Sequence, residues 1–239
     1  MALVSVLLSS GAAQAVTDYE GCLEMIEQDP QAAELKAGEW ARFGGGPAAR
    51  HCYALALLAI GAPNAAIDEL IGIATEEPGL EPQARADLLV QAGELLIDTG
   101  DMLTAAIVSE QALRLSPRDP AALGLRGAVR IANGDAAAGI RDLDQAMERG
   151  GADPKWLVRR AQGHRARGDL IAARDDAGFA SELAPDDATA WLELGRVQAR
   201  LGDKNNARQS LLRSFNLDRE GAIGRAAQLA MQRMEAGID

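Results

Sequence analysis

"RIANGDAAAG", residues 130–139, sets an Asn-Gly-Asp stop between two alanine-rich stretches. Its Gly-Asp step occurs at 100–101, 134–135, 168–169 and 202–203, each 34 residues after the one before. Seven residues ahead of those glycines stand Gly93, Gly127, Ala161 and Gly195. Five residues after them come Ala105, Gly139, Ala173 and Ala207, and twelve after come Ala112, Ala146, Ala180 and Ser214. Small residues held in register through four units identify an internal repeat. Each unit contains two segments of ordinary helical length. The glycine tolerates the left-handed conformation that closes the first segment, and the chain then turns into the start of the second. Small side chains let two antiparallel helix axes approach closely. A single hairpin cannot bury its apolar face, so neighbouring hairpins must stack. The expected fold is all-α, an α-solenoid of stacked antiparallel helix hairpins.

This spacing resembles the tetratricopeptide repeat, a helix–turn–helix unit with small residues at three fixed positions and a helix-breaking proline near its end. Pro117 and Pro185 take the proline position, and the resemblance covers 86–219. It implies a superhelix that binds other proteins in a concave groove and has no catalysis of its own. Four regular units are expected over 86–221, and "AIGRAAQLAMQRMEA" (222–236) reads as a capping helix within 222–239. Residues 16–85 read as two degenerate hairpins. Gly61 precedes Gly100 by 39 residues, so "EEPGLEP" (76–82) is expected to carry a five-residue insertion in the connecting loop.

Composition agrees with helices. Apolar residues make up 48% and aromatics only 3%, a balance that favours Ala/Leu packing over strands. A net charge of −11 argues against a nucleic-acid partner, which calls for a basic surface. Residues 1–15 hold the apolar run "ALVSVLL" and an Ala-Gln-Ala at 13–15, as in a signal peptide cleaved before Val16. No Lys or Arg precedes the run, so either the true start lies upstream or the stretch is an ordinary apolar first helix. The run is too short to span a bilayer, and no stable membrane insertion is expected. The expected setting is periplasmic or secreted, and otherwise cytoplasmic.

Cys22 and Cys52 are the only cysteines. They fit a disulfide in an exported chain or two free structural thiols in a reducing one. With His51 they also form an imaginable metal or thiol site, although close Cys-x-x-Cys spacing is lacking. If first helices stack on first helices, Cys22 and Cys52 fall on consecutive ones and can meet. No Gly-rich phosphate loop and no His-Glu-x-x-His motif calls for a cofactor or a catalytic centre.

Arg126 occupies a usually apolar position of its repeat, where the equivalents are Ala92, Arg160 and Leu194. Sixteen residues further on stand Val108, Asp142, Asp176 and Ser210. Arg and Asp occur together in two repeats and are absent together from the other two. Arg126–Asp142 and Arg160–Asp176 are therefore expected as structural ion pairs. Arg130 and His164, four residues beyond each arginine, are expected to cover the stacked helices while their polar ends reach water.

The resemblance also assigns groove positions. They include Glu94 in the first regular unit, Leu125 in a nearly all-apolar second unit, Lys155, Arg159 and Arg165 in the third, and Arg196 and Arg200 in the fourth. Five cations converging on one concavity call for an acidic segment of another protein. Lys155 and Arg159 match half of the carboxylate clamp of co-chaperone repeats, but Val90, Glu94 and Leu125 replace the rest. The leading expectation is a non-catalytic scaffold, with a self-assembling array as a further alternative.

Overall fold

The computed structural model describes residues 18–77 and 79–238. The signal-peptide reading of 1–15 lies outside the described residues. Among those described, the secondary structure is thirteen α-helices and no strand. The chain divides into two compact units, one ending at Pro78 and the other beginning at Gly79.

The first unit holds α1 (Tyr19–Gln28), α2 (Pro30–Arg42), α3 (Gly46–Ala59) and α4 (Pro63–Glu76). Consecutive helices pack on one another, and α1 also packs on α3. Cys22, Ala37 and Cys52 form a fully buried cluster covered by Tyr19, Met25, Ile26, Trp40 and Tyr53, and Leu70 and Ile73 of α4 are buried as well. Asp29 links the first two helices: its backbone N–H closes α1 and its carboxylate accepts from Ala32 N–H at the start of α2. Arg50 of α3 reaches Glu69 of α4 at 2.6 Å and also donates to Glu77 at 3.2 Å.

The second unit stacks four hairpins and a final helix. They are α5 (Pro82–Thr99) with α6 (Met102–Leu115), α7 (Pro120–Ala132) with α8 (Ala136–Gly150), α9 (Pro154–Arg167) with α10 (Leu170–Leu183), α11 (Ala188–Arg200) with α12 (Lys204–Leu217), and α13 (Ala222–Ala236). First helices pack on first helices (α5 on α7, α7 on α9, α9 on α11, α11 on α13) as well as within their hairpins. This is the expected solenoid arrangement.

The Gly-Asp step works as a double cap. The glycines at 100, 134, 168 and 202 have φ between 81° and 90°, where a side chain is disfavoured. Asp101, Asp135 and Asp203 then accept from the backbone N–H three residues on. Asp169 departs from the pattern: its carboxylate takes Arg167 Nε instead. The small-residue columns mark the closest approaches. A Cβ on Gly139 would lie 2.6 Å from the Gly127 carbonyl oxygen, so α7 and α8 touch through their backbones.

The five-residue insertion is resolved differently from the sequence expectation. α5 is already helical at Pro82, four residues ahead of the register that Pro120 sets one repeat later. Most of the insertion thus extends α5, to 18 residues against 13 for α7, instead of lengthening a loop. Pro82 at the first helical position explains this, since its fixed φ suits a helix start.

Candidate functional site

The arginine beside the small-residue column heads a carboxylate network. Arg126 Nε and Nη2 donate to the two oxygens of Asp142, each at 2.9 Å. Asp142 is 3% exposed and also accepts from Arg130 Nη1 at 2.7 Å. Glu110, on α6 of the preceding hairpin, approaches Arg126 and Arg130 at 3.6 and 3.7 Å. One repeat later Arg160 grips Asp176 in the same two-pronged way, at 2.8 and 2.6 Å. Its Nη1 donates to Asp144 of the preceding α8 at 2.6 Å. Each arginine therefore ties its own hairpin and links it to the one before, and such bidentate pairs fix geometry well. The neighbouring carboxylates raise the pKa of both guanidiniums, with the hydrogen bonds to Asp142 and Asp176 the largest cause.

Two parts of this network escaped the sequence reading. Glu110 and Asp144 are themselves 34 residues apart and each stands sixteen residues before its arginine, so the signal was present in the spacing. Arg130 does not end in water as expected: it completes the shell of Asp142. His164 takes the equivalent place, with Nε2 3.8 Å from Asp176.

The groove positions separate into two hollows and a buried core. Leu125, expected in the groove, is fully buried; its side chain fills the space that Gly93 leaves on α5. The neighbouring Gly124 is covered by the Trp156 indole, which leaves no room there for a Cβ. The apolar stretch of the second repeat is thus used in packing.

In the first hollow, of about 270 Å³, Lys155 and Arg159 of α9 share the lining with Glu94 and Asp98 of α5, across Gly124 and Ala128 of α7. Burial pushes the Glu94 carboxyl up, while Arg159 and Lys155 pull it back only in part. Arg159 makes a long hydrogen bond to Gln162, at 3.5 Å.

The second hollow, of about 230 Å³, lies between α9, α11 and α13. It collects Arg165, Arg196 and Arg200, together with Arg233 of α13, which the sequence reading did not single out. Arg165 is engaged with Glu193, a carboxylate 1% exposed, through Nε to Oε1 and Nη2 to Oε2. Arg165 therefore lines the hollow while neutralising a buried glutamate. Arg200 Nη1 donates to the Arg165 carbonyl at 2.8 Å. Burial lowers the Arg196 pKa, and repulsion from Arg165 and Arg233 adds to it against the attraction of Glu193. Lys155 and Arg159 thus line the first hollow, and Arg165, Arg196 and Arg200 the second.

In the first unit, Cys22 of α1 and Cys52 of α3 form a disulfide, with Cα atoms 6.4 Å apart. His51 Nδ1 lies 2.6 Å from the Tyr19 hydroxyl, with the two rings stacked. In this arrangement both sulfurs of the Cys22/His51/Cys52 set are committed to each other. Among the described residues, no group of three His, Cys, Asp or Glu side chains is placed to hold a metal ion. Nor is any described helix long and apolar enough to cross a membrane.

Comparison with known proteins places the fold. Residues 188–220 match the tetratricopeptide repeat. The chain resembles a solved structure described as the APC/C hetero-tetramer Cut9-Hcn1, with a TM-score of 0.75 at 16% identity. That likeness covers 95% of this chain but only 44% of the other. A structure from a functional characterisation of Pseudomonas aeruginosa pilF gives a TM-score of 0.66 at 14% identity, covering 92% and 95% of the two chains. A tetratricopeptide repeat protein from Parabacteroides merdae gives 0.65 at 15%, covering 91% and 92%. No curated protein sequence matches the chain. Residues 188–220 thus carry one tetratricopeptide repeat, and the helix pairs of the second unit stack in the tetratricopeptide-repeat fold.

Proposed function

We propose that this chain is a non-catalytic scaffold that binds a segment of another protein along the first helices of its second unit. One observation carries the reading. Lys155, Arg196 and Arg233 line open hollows on those helices and on α13, yet none makes an ion pair within 4 Å among the described residues. In a chain of net charge −11, cations left without a close ion pair mark a place kept for an acidic visitor. The setting is part of the same proposal: the apolar run and Ala-Gln-Ala of 1–15 and the Cys22–Cys52 disulfide support export to an oxidising compartment.

Affinity capture from native cells tests the scaffold, using the full chain against a Lys155→Glu/Arg159→Glu form. Loss of at least one captured protein is expected, and equal recovery of every protein overturns the groove. The intact mass of the native chain tests export: a chain beginning at Val16 with its cysteines joined is expected, and one retaining residues 1–15 overturns it.

A further inference from the structure

The hollow between α9, α11 and α13 has a composition that a general groove does not need. Four guanidinium groups surround it, and among the described residues only that of Arg165 is neutralised by a carboxylate, Glu193. Arg200 is tethered to a backbone carbonyl, which turns it inward toward α9. Arg196 is half-buried, so water cannot fully solvate its charge. Beside these groups, α13 and the residues after it present Leu229, Ala230, Met234 and Ile238. Leu229 and Ile238 are 53% and 57% exposed, large apolar side chains at the mouth of a cationic hollow.

Charge and apolar surface together select the occupant. The guanidinium forks of Arg196 and Arg233 fit a carboxylate bidentately. The aliphatic rim gains nothing from a bare inorganic anion but gains from covering a hydrocarbon side chain. A volume of about 230 Å³ is below the range of about 300–1,000 Å³ usual for small-molecule sites, so it suits one or two side chains better than a cofactor. An anionic membrane or a second copy of this chain meets the repulsion of an acidic molecule on approach, whereas a short segment needs only to reach the hollow.

We infer that the Arg196/Arg200/Arg233 hollow binds an acidic side chain flanked by an aliphatic one, on a segment of a partner protein, and that α13 is part of the recognition site as well as a cap. The inference rests on the scaffold reading and adds the chemistry of the ligand and the helix that supplies it.

The probes are acetylated, amidated twelve-residue peptides, free of terminal charge. One carries Glu-Leu pairs in a Ser/Gly background, a second Gln-Leu and a third Glu-Ala, with inorganic phosphate as the fourth probe. Calorimetry with the full chain measures affinity, and the arginine Nε–Hε resonances report which guanidiniums respond. The Glu-Leu peptide is expected to bind and to shift the Arg196 and Arg233 signals, with the Gln-Leu and Glu-Ala peptides weaker by about tenfold or more. Arg233→Gln, at an exposed position that folding does not need, is expected to weaken the Glu-Leu peptide similarly. Lys155→Glu/Arg159→Glu is expected to retain most of the affinity.

Unchanged affinity in Arg233→Gln and in Arg196→Gln overturns the inference. So does phosphate binding as tightly as the Glu-Leu peptide, or an oligomer that Arg233→Gln dissociates, since a second copy is then the occupant. If the peptide fails while Lys155→Glu/Arg159→Glu still loses a captured protein, this site is wrong and the scaffold reading stands. If neither experiment shows binding, both fall.

Discussion

Asp142 is held by two arginines, and this changes what removing either one does. With Arg126 truncated, Arg130 still donates at 2.7 Å, so the buried carboxylate keeps a partner. Arg126→Ala and Arg130→Ala are each expected to cost about 1–2 kcal/mol, discounted because both side chains are partly solvated. The double variant leaves Asp142 buried and unpaired and is expected to cost on the order of 4–5 kcal/mol, more than the sum. Denaturant titration of the four proteins measures this, and strict additivity rules out the shared shell. Arg160→Ala is expected to cost more than Arg126→Ala, since Asp176 then keeps only His164 at 3.8 Å. Glu94 is a separate case because burial raises its pKa. A raised carboxyl favours the folded state in acid, below its unfolded value of about 4.3, and that contribution is lost as pH rises through the folded value. The stability of the native protein relative to Glu94→Gln is therefore expected to be greatest near pH 3.5 and to decline toward pH 7. A pH-independent difference would contradict the burial effect.

At the scale of the helix pair, glycine has opposite effects at different positions. Gly139 faces the Gly127 carbonyl across the α7–α8 contact, and an added Cβ would lie 2.6 Å from that backbone oxygen. Gly178 of α10 has nothing within 4 Å of the same atom. Gly139→Ala is expected to destabilise by about 1–3 kcal/mol through overpacking, despite better helix propensity. Gly178→Ala is expected to stabilise by about 0.5–1 kcal/mol through propensity alone. Thermal melts of the pair decide it, and two changes of the same sign contradict the assigned contact. This difference also shows what the sequence makes legible. The 34-residue columns located the helix pairs and the Arg–Asp partners, because register along one chain determines which residues meet inside a hairpin. They did not separate groove from core. Leu125 sits at a groove position but fills the notch of Gly93, and Trp156 covers Gly124, so the size of a neighbour one repeat away decides exposure. Arg233 was missed because α13 belongs to no repeat, and no register assigned it a face.

For the whole molecule, the consequence lies in how stability is distributed. Repeat arrays approximate a sum of local stabilities and neighbour contacts, so a perturbation stays near its source. The disulfide joins α1 to α3 within the first unit, over a separation of 30 residues. In the chain-entropy account, closing a loop of that size stabilises by about 3–4 kcal/mol. The α1–α3 contact draws on it, since the fully buried residues of the cluster around it are Cys22, Ala37 and Cys52, whereas the large buried side chains Leu70 and Ile73 belong to α4. The second unit has Leu125, Leu143, Val197 and Leu211 buried under its own hairpins. Cys22→Ala/Cys52→Ala is therefore expected to cost several kcal/mol across α1–α4 while α7–α12 keep their protection. Amide hydrogen exchange resolved by segment measures this, comparing the oxidised protein with the double variant. A uniform loss across both units would mean that they unfold as one, and the disulfide would then stabilise the whole array instead of its N-terminal hairpins.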